Sequence, residues 1–162
     1  MDRLWAPWRK AYIRPKGKKK QGCVFCAMLK SARTADHILF KTKYSFAVLN
    51  LYPYNNGHTL ILPRKHVQSI DQLNNVERLD WLDSYLKVQR ALHKALKPQG
   101  INVGINLGRP AGAGIPGHLH MHAVPRWTGD VNFMPVIAGT KVISESMDSV
   151  YRLMKRALRE EK

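Results

Sequence analysis

The residues best equipped for chemistry in this chain are His118, His120 and His122, at alternate positions of His118-Leu119-His120-Met121-His122-Ala123-Val124. Alternation is the period of an extended strand. The pattern therefore predicts three imidazoles on one face, with Leu119, Met121 and Val124 packing away from it. At roughly 3.3 Å per residue, neighbouring histidines stand about 6.6 Å apart at Cα and the outer pair about 13 Å. Two of them can share a metal ion or a phosphoryl group, whereas all three converge on one ion only if the strand is strongly distorted. Such a row suggests divided labour between a nucleophile, a proton donor or phosphate contact, and an anchor.

Two further stretches carry chemistry. The loop Gly108-Arg109-Pro110-Ala111-Gly112-Ala113-Gly114-Ile115-Pro116-Gly117 runs directly into the histidines. Its four glycines let backbone amides approach an anion closely, although glycine-rich loops are also ordinary turns. Cys23-Val24-Phe25-Cys26 holds the only two cysteines. A C-x2-C pair reads as half of a zinc site, a redox couple, or two ordinary thiols. A thioredoxin-type couple belongs between a strand and a helix of a βαβ unit, which the flanking sequence does not offer. Zinc needs two more ligands.

The elements that must position these residues follow from pattern. Ile38-Leu39-Phe40 and Phe46-Ala47-Val48-Leu49 read as an antiparallel pair, and His58 to Leu62 as a third strand ended by Pro63. Between them, Asn50 to Gly57 is a loop by its Pro, Asn and Gly content. A long helix follows, with Asn74/Glu77 as capping box and Ser69/Gln72 as an earlier alternative. Its core stripe is predicted to be Val76, Leu79, Leu82, Leu86, Leu92 and Leu96, with His93 at the surface. Ile101 to Leu107 reads as a strand, 132–143 as irregular with some β character, and Glu145 to Leu158 as a basic helix with Val150, Leu153, Met154, Ala157 and Leu158 inward. Early strands, a long helix, later strands and a terminal helix make the fold class α+β.

A length of 162 residues suits one domain with a proper core. We expect a basic arm over residues 1–22 and a single domain over 23–162. The arm holds Trp5, Trp8 and the run Arg14-Pro15-Lys16-Gly17-Lys18-Lys19-Lys20. Its tryptophans either dock on the body or stack on single-stranded nucleic acid. With 27 Lys plus Arg against 11 Asp plus Glu, the formal charge is +16. Such a field attracts polyanions, or is simply a solvated basic surface. No apolar run reaches the ~18 residues of a membrane span, and the N-terminus lacks the apolar core of a secretory signal. The expected compartment is the cytoplasm, with no membrane partner.

The triad, together with Leu4-Trp5-Ala6-Pro7-Trp8-Arg9, Leu49-Asn50-Leu51-Tyr52-Pro53-Tyr54-Asn55, Gly57-His58, Asn102-Val103-Gly104-Ile105-Asn106-Leu107-Gly108 and Pro125-Arg126-Trp127, resembles the histidine triad (HIT) family, in particular its bacterial diadenosine tetraphosphate phosphorylase branch. The resemblance implies a mainly antiparallel sheet with a long packed helix, and a homodimer. It implies nucleotidyl transfer on dinucleoside polyphosphates, with His120 as covalent nucleophile and His122 contacting the phosphate or leaving group. Asn50 would bind ribose. Asn106 and the loop amides, Gly112, Ala113, Gly114 and Ile115 foremost, would meet the phosphoryl oxygens. Trp127 would shape the second nucleotide's pocket. Zinc-bearing relatives imply a structural site of Cys23, Cys26, His66 and His118.

One departure bears on the acceptor. By that resemblance, the fragile-histidine-triad hydrolases carry glutamine four residues before the first triad histidine and the known phosphorylases serine; here Gly114 stands there. Inorganic phosphate is the expected acceptor and water its competitor. A nucleoside phosphoramidase, and a basic nucleotide- or RNA-binding protein without turnover, are the alternatives.

Overall fold

The computed structural model describes residues 22–30, 37–130 and 143–160. In chain order these form α1 (Val24–Lys30), β1 (Ile38–Lys41), β2 (Ser45–Leu49), β3 (Thr59–Pro63), a 3-10 turn (Ile70–Gln72), α2 (Asn75–Leu96), β4 (Gly100–Ile105), β5 (Met121–Arg126) and α3 (Met147–Arg159). The strands make one sheet in the order β1-β2-β3-β5-β4. Every neighbouring pair is antiparallel, as the α+β reading requires. The expected arm, apart from Gly22, and the stretch 132–143, apart from Ile143, lie outside the described residues. Among the described residues, no helix is long and apolar enough to cross a membrane.

The strand period divides the sheet's side chains between two cores. Ala47, Leu49, Ile61, Met121 and Ala123 point toward α2 and α3, where they meet Trp81, Val88, Leu92, Val150 and Met154. Phe46, Val48, Leu60 and Leu62 point the other way, against Phe25 of α1. With apolar partners on both sides, β2 and β3 are buried at every position. Full burial of each large side chain contributes about 1.5–3 kcal/mol before ordering costs. One detail of the expected alternation is corrected. Period two carries Ala123, not Val124, to the side of Leu119 and Met121, and Ala123 is the residue that joins them in the main core.

Helix α2 starts where the capping box predicts. Asn74 Oδ1 accepts from Glu77 N–H and Glu77 Oε2 accepts from Asn74 N–H, both at 2.9 Å. The Ser69/Gln72 pair serves the preceding 3-10 turn instead, Gln72 Oε1 accepting from Gln68 and Ser69 N–H at 2.7 and 3.2 Å. The helix ends at Lys97, which takes the left-handed conformation (φ 48°) before Pro98.

Its predicted core stripe is only partly correct. Val76, Leu79, Leu82 and Leu86 are 59%, 60%, 49% and 40% exposed. The buried face is Trp81, Ser84, Val88, Ala91 and Leu92, with Leu96 partly covered. The helix carries two apolar stripes on roughly opposite sides, and the one with Trp81, Val88, Ala91 and Leu92 packs into the core against the sheet. His93 is exposed, as expected. Helix α3, capped by Ser146 Oγ on Ser149 N–H (3.2 Å), buries Val150, Met154 and Ala157.

Candidate active site and metal centre

The triad enters the sheet rather than lying wholly within it. Ladder pairing begins at Met121, so His122 alone belongs to β5, opposite Leu60 and Gly104. Residues 118–120 are held by the segment after β3, Leu119 N–H donating to Val67 O at 2.7 Å. The rings still share the α1 side of the sheet. Phe25 lies 5.5 Å from both the His118 and His120 rings, and the rings of His120 and His122 are 5.0 Å apart.

Hydrogen bonds assign a tautomer to each ring. The His118 carbonyl can only accept, so His120 donates to it from Nδ1 at 2.8 Å and keeps its Nε2 lone pair. Tyr54 N–H donates to His58 Nδ1 at 3.0 Å, and that nitrogen also lies 3.2 Å from Asn50 Nδ2. The His58 proton is therefore on Nε2, where it donates to His122 Nδ1 at 2.9 Å. That leaves the His122 proton on Nε2, a buried atom with no partner among the described residues. A nucleophilic lone pair thus stands beside an unspent N–H donor. Burial pushes the pKa of His118 and His120 below the ordinary histidine value. Burial, and then the neighbouring His120, push His122 down to about 4, so all three are neutral at pH 7.

His58 itself is buried, as a structural hydrogen-bonder should be. The turn that delivers it needs Gly57: its φ is +74°, and a Cβ there would run into Leu96. Tyr54 covers the pair, its ring 4.6 Å from that of His58 and nearly parallel to His122 at 5.8 Å.

Beyond the other end of the triad, Cys23, Cys26, His66 and His118 bring one ligand atom each within 4.8 Å of one another. Sγ of Cys23 and Cys26 lie 3.4 and 3.6 Å from His118 Nδ1. His66 Nδ1 is 3.4 Å from Cys26 Sγ and 3.3 Å from His118 Nδ1. A tetrahedral ion with two sulfur and two nitrogen ligands needs N–N edges of about 3.3 Å and S–N edges of about 3.6 Å. The donor set matches. His118 Nε2 donates to Pro63 O at 2.9 Å, which turns the Nδ1 lone pair toward the cluster. These four residues could hold a metal ion.

Asn50, half-buried at the end of β2, accepts Tyr52 N–H on Oδ1 at 3.1 Å. Asn106 Nδ2 lies beside Gly112, 3.6 Å from where a Cβ would stand, and Gly112 has φ +95°. The amides of Gly112 and Ala113 close the turn, donating to Arg109 O and Gly108 O at 3.0 and 3.2 Å. No bond among the described residues takes the amides of Gly114 or Ile115. The backbone N–H of Trp127 donates to Asp130 Oδ2 (3.1 Å), to which Arg126 Nε (2.6 Å) and Asn55 Nδ2 (2.7 Å) also donate.

Sequence reasoning gave no role to the side chains of Phe25, Tyr54, Asn55 and Asp130. The signals were available: Phe25 lies inside the C-x2-C, Tyr54 and Asn55 in the loop before His58, and Asp130 four residues after Arg126.

A model of the HIT domain matches residues 31–129, well over half of the chain. The chain belongs to the histidine triad family. The AP-4-A phosphorylase of Mycobacterium tuberculosis is 34% identical to it over 161 residues, covering 95% of this chain and 83% of that protein. The asymmetrical bis(5'-nucleosyl)-tetraphosphatase of Schizosaccharomyces pombe is 36% identical over 95 residues, 59% of this chain and 52% of its own. Among solved structures, a Zn-bound histidine triad family protein from Mycobacterium smegmatis superposes with TM-score 0.71 at 24% identity, covering 86% of this chain and 95% of that one. That likeness confirms the HIT fold expected from the sequence.

Proposed function

We propose that this HIT protein transfers a nucleotidyl group from a dinucleoside polyphosphate to inorganic phosphate through a covalent bond to His120. The observation that carries the reading is the opposed tautomer pair: a lone pair on His120 Nε2 beside an N–H on His122 Nε2. Similarity to the mycobacterial AP-4-A phosphorylase over 95% of the chain supports the substrate class and the acceptor.

In the first step His120 Nε2 attacks the α-phosphorus and the bond to the polyphosphate oxygen breaks. His122 Nε2–H hydrogen-bonds the departing oxygen. The nucleotidyl-imidazolium keeps its Nδ1–H on the His118 carbonyl, and its positive charge makes it a good leaving group. In the second step a phosphate oxygen attacks the same phosphorus, and His120 departs neutral. Asn106 and the amides of Gly114 and Ile115 meet charge on the phosphoryl oxygens, Gly112 and Ala113 shaping that loop. Asn50 binds ribose and Trp127 shapes the second nucleotide's pocket. Arg109 and the positive field draw in the phosphate.

Cys23, Cys26, His66 and His118 form a donor set that suits zinc, and an ion held there would serve structurally, tying the N-terminal segment to the triad. Both cysteines are free thiols, the state that a reducing cytoplasm maintains and that ligation requires. The molecule pairs as a homodimer through the exposed apolar stripe of α2 and edge strand β4, where Val103 is also exposed.

Product analysis tests the reaction. Diadenosine tetraphosphate with millimolar phosphate should give ATP and ADP. AMP as the only second product at every phosphate concentration would make the protein a hydrolase.

A further inference from the structure

Phe25 joins the two chemical centres. Its ring is 4% exposed, and its centroid lies 5.5 Å from those of both His118, tilted 75°, and His120, tilted 52°. The short helix α1 that carries it also carries Cys26, with Cys23 just before its first residue. One rigid segment therefore presents two candidate metal ligands to His118 and an aromatic ring to His120. That ring is anchored among Phe46, Val48, Leu60 and Leu62, with Ile115 of the glycine loop packed on the same cluster.

His120 needs such a support. Among the described residues its side chain makes one hydrogen bond, from Nδ1–H to the His118 carbonyl. One hydrogen bond fixes the tautomer but leaves the ring free to pivot about it. Two rings pack against it, Phe25 at 5.5 Å and His122 at 5.0 Å. The position of α1 therefore bears on the direction of the Nε2 lone pair.

We propose that Phe25 is a positioning residue that fixes the tilt of the His120 ring and couples the Cys/His centre to nucleotidyl transfer. The inference rests on His120 being the nucleophile. Loss of metal would release α1, shift Phe25, and slow attack by His120 without any direct contact between metal and substrate. Misplacement of a reacting atom by about 1 Å costs on the order of 100-fold in rate. A residue serving only the core would instead lower stability and leave the chemical step alone.

The test uses Phe25→Leu and Phe25→Met in the full chain, both apolar and near in volume. Metal content, nucleotide Kd and the single-turnover rate of adduct formation on His120 are measured in each. We expect bound metal to be retained and Kd to change less than about 2-fold, while the adduct rate falls by about 10- to 100-fold. Removing the metal from wild type should slow adduct formation by a similar factor, whereas removing it from Phe25→Leu should add less than about 3-fold, because both changes act through one link. An unchanged adduct rate in metal-loaded variants, or fully multiplicative losses, would overturn the proposal while leaving His120 as nucleophile. Absence of any His120 adduct in wild type would remove the transfer reading and this inference together.

Discussion

The two ends of the triad are four residues apart, yet their surroundings give them opposite characters. At His118 both ring nitrogens are engaged, Nε2 on the Pro63 carbonyl and Nδ1 toward ligand atoms from residues 23, 26 and 66. At His122 only Nδ1 is engaged, by His58, while Nε2–H is unspent. Burial lowers the proton affinity of both rings, so charge does not distinguish them. What distinguishes them is the partner of the second nitrogen, which makes one an anchor and the other a donor. Alternation along a strand places histidines; it does not give them their work.

Substitutions along the triad should separate the ends. The largest effect is expected at its centre. His120→Ala should abolish turnover while preserving nucleotide binding, and His122→Ala should lower kcat by about 10²–10⁴-fold with the metal retained, as loss of a proton donor does. Steady-state kinetics with metal analysis would check both. Cys23→Ser with Cys26→Ser should do the reverse at first sight, losing metal and stability. For a chain of this size, each kcal/mol lost lowers Tm by roughly 2–4 °C, so a structural site is readily seen in a melting curve.

His58→Gln should have a smaller effect. It disturbs the partner of His122 Nδ1 without touching substrate, and kcat should fall by about 10-fold or more with KM little changed. A changed pH profile with unchanged metal content would show that His58 acts through His122.

The pH dependence sharpens the comparison further. The His122 value of about 4 lies below the ordinary ~6.5, so between these limits the unfolded chain binds more protons than the folded one. Stability should be full above about pH 6.5 and fall as pH drops through that window. The acid limb of kcat/KM should likewise lie below the ordinary histidine range, because neutral His120 persists there. The smallest effect on chemistry is expected from Leu79→Glu, which should give monomers in sedimentation without altering metal content.

Much of this was legible in the sequence. Short apolar runs bounded by turn residues pointed to β1, β2 and β3, and Asn74 with Glu77 to the start of α2, because caps and apolar runs are local signals. The Cys23, Cys26, His66 and His118 cluster was legible only through resemblance, since chain spacing does not bring residues 23 and 118 together. The stripe on α2 was misread because Leu79, Leu82 and Leu86 look more core-like than Ser84 and Ala91. Helical period says which residues share a face, and only tertiary packing says which face meets the sheet. Phe25 and Asp130 escaped notice because an apolar residue and a lone acid carry no distinctive chemistry until their neighbours are known.

The central claim is that His120 alone becomes covalently modified. Mixing the protein with radiolabelled diadenosine tetraphosphate in the absence of phosphate, quenching in alkali and mapping the labelled peptide tests it directly. The account predicts an acid-labile, base-stable nucleotidyl group on His120, absent from His120→Ala and discharged to ADP when phosphate is added. Full turnover in His120→Ala, or label carried on another residue, would contradict it.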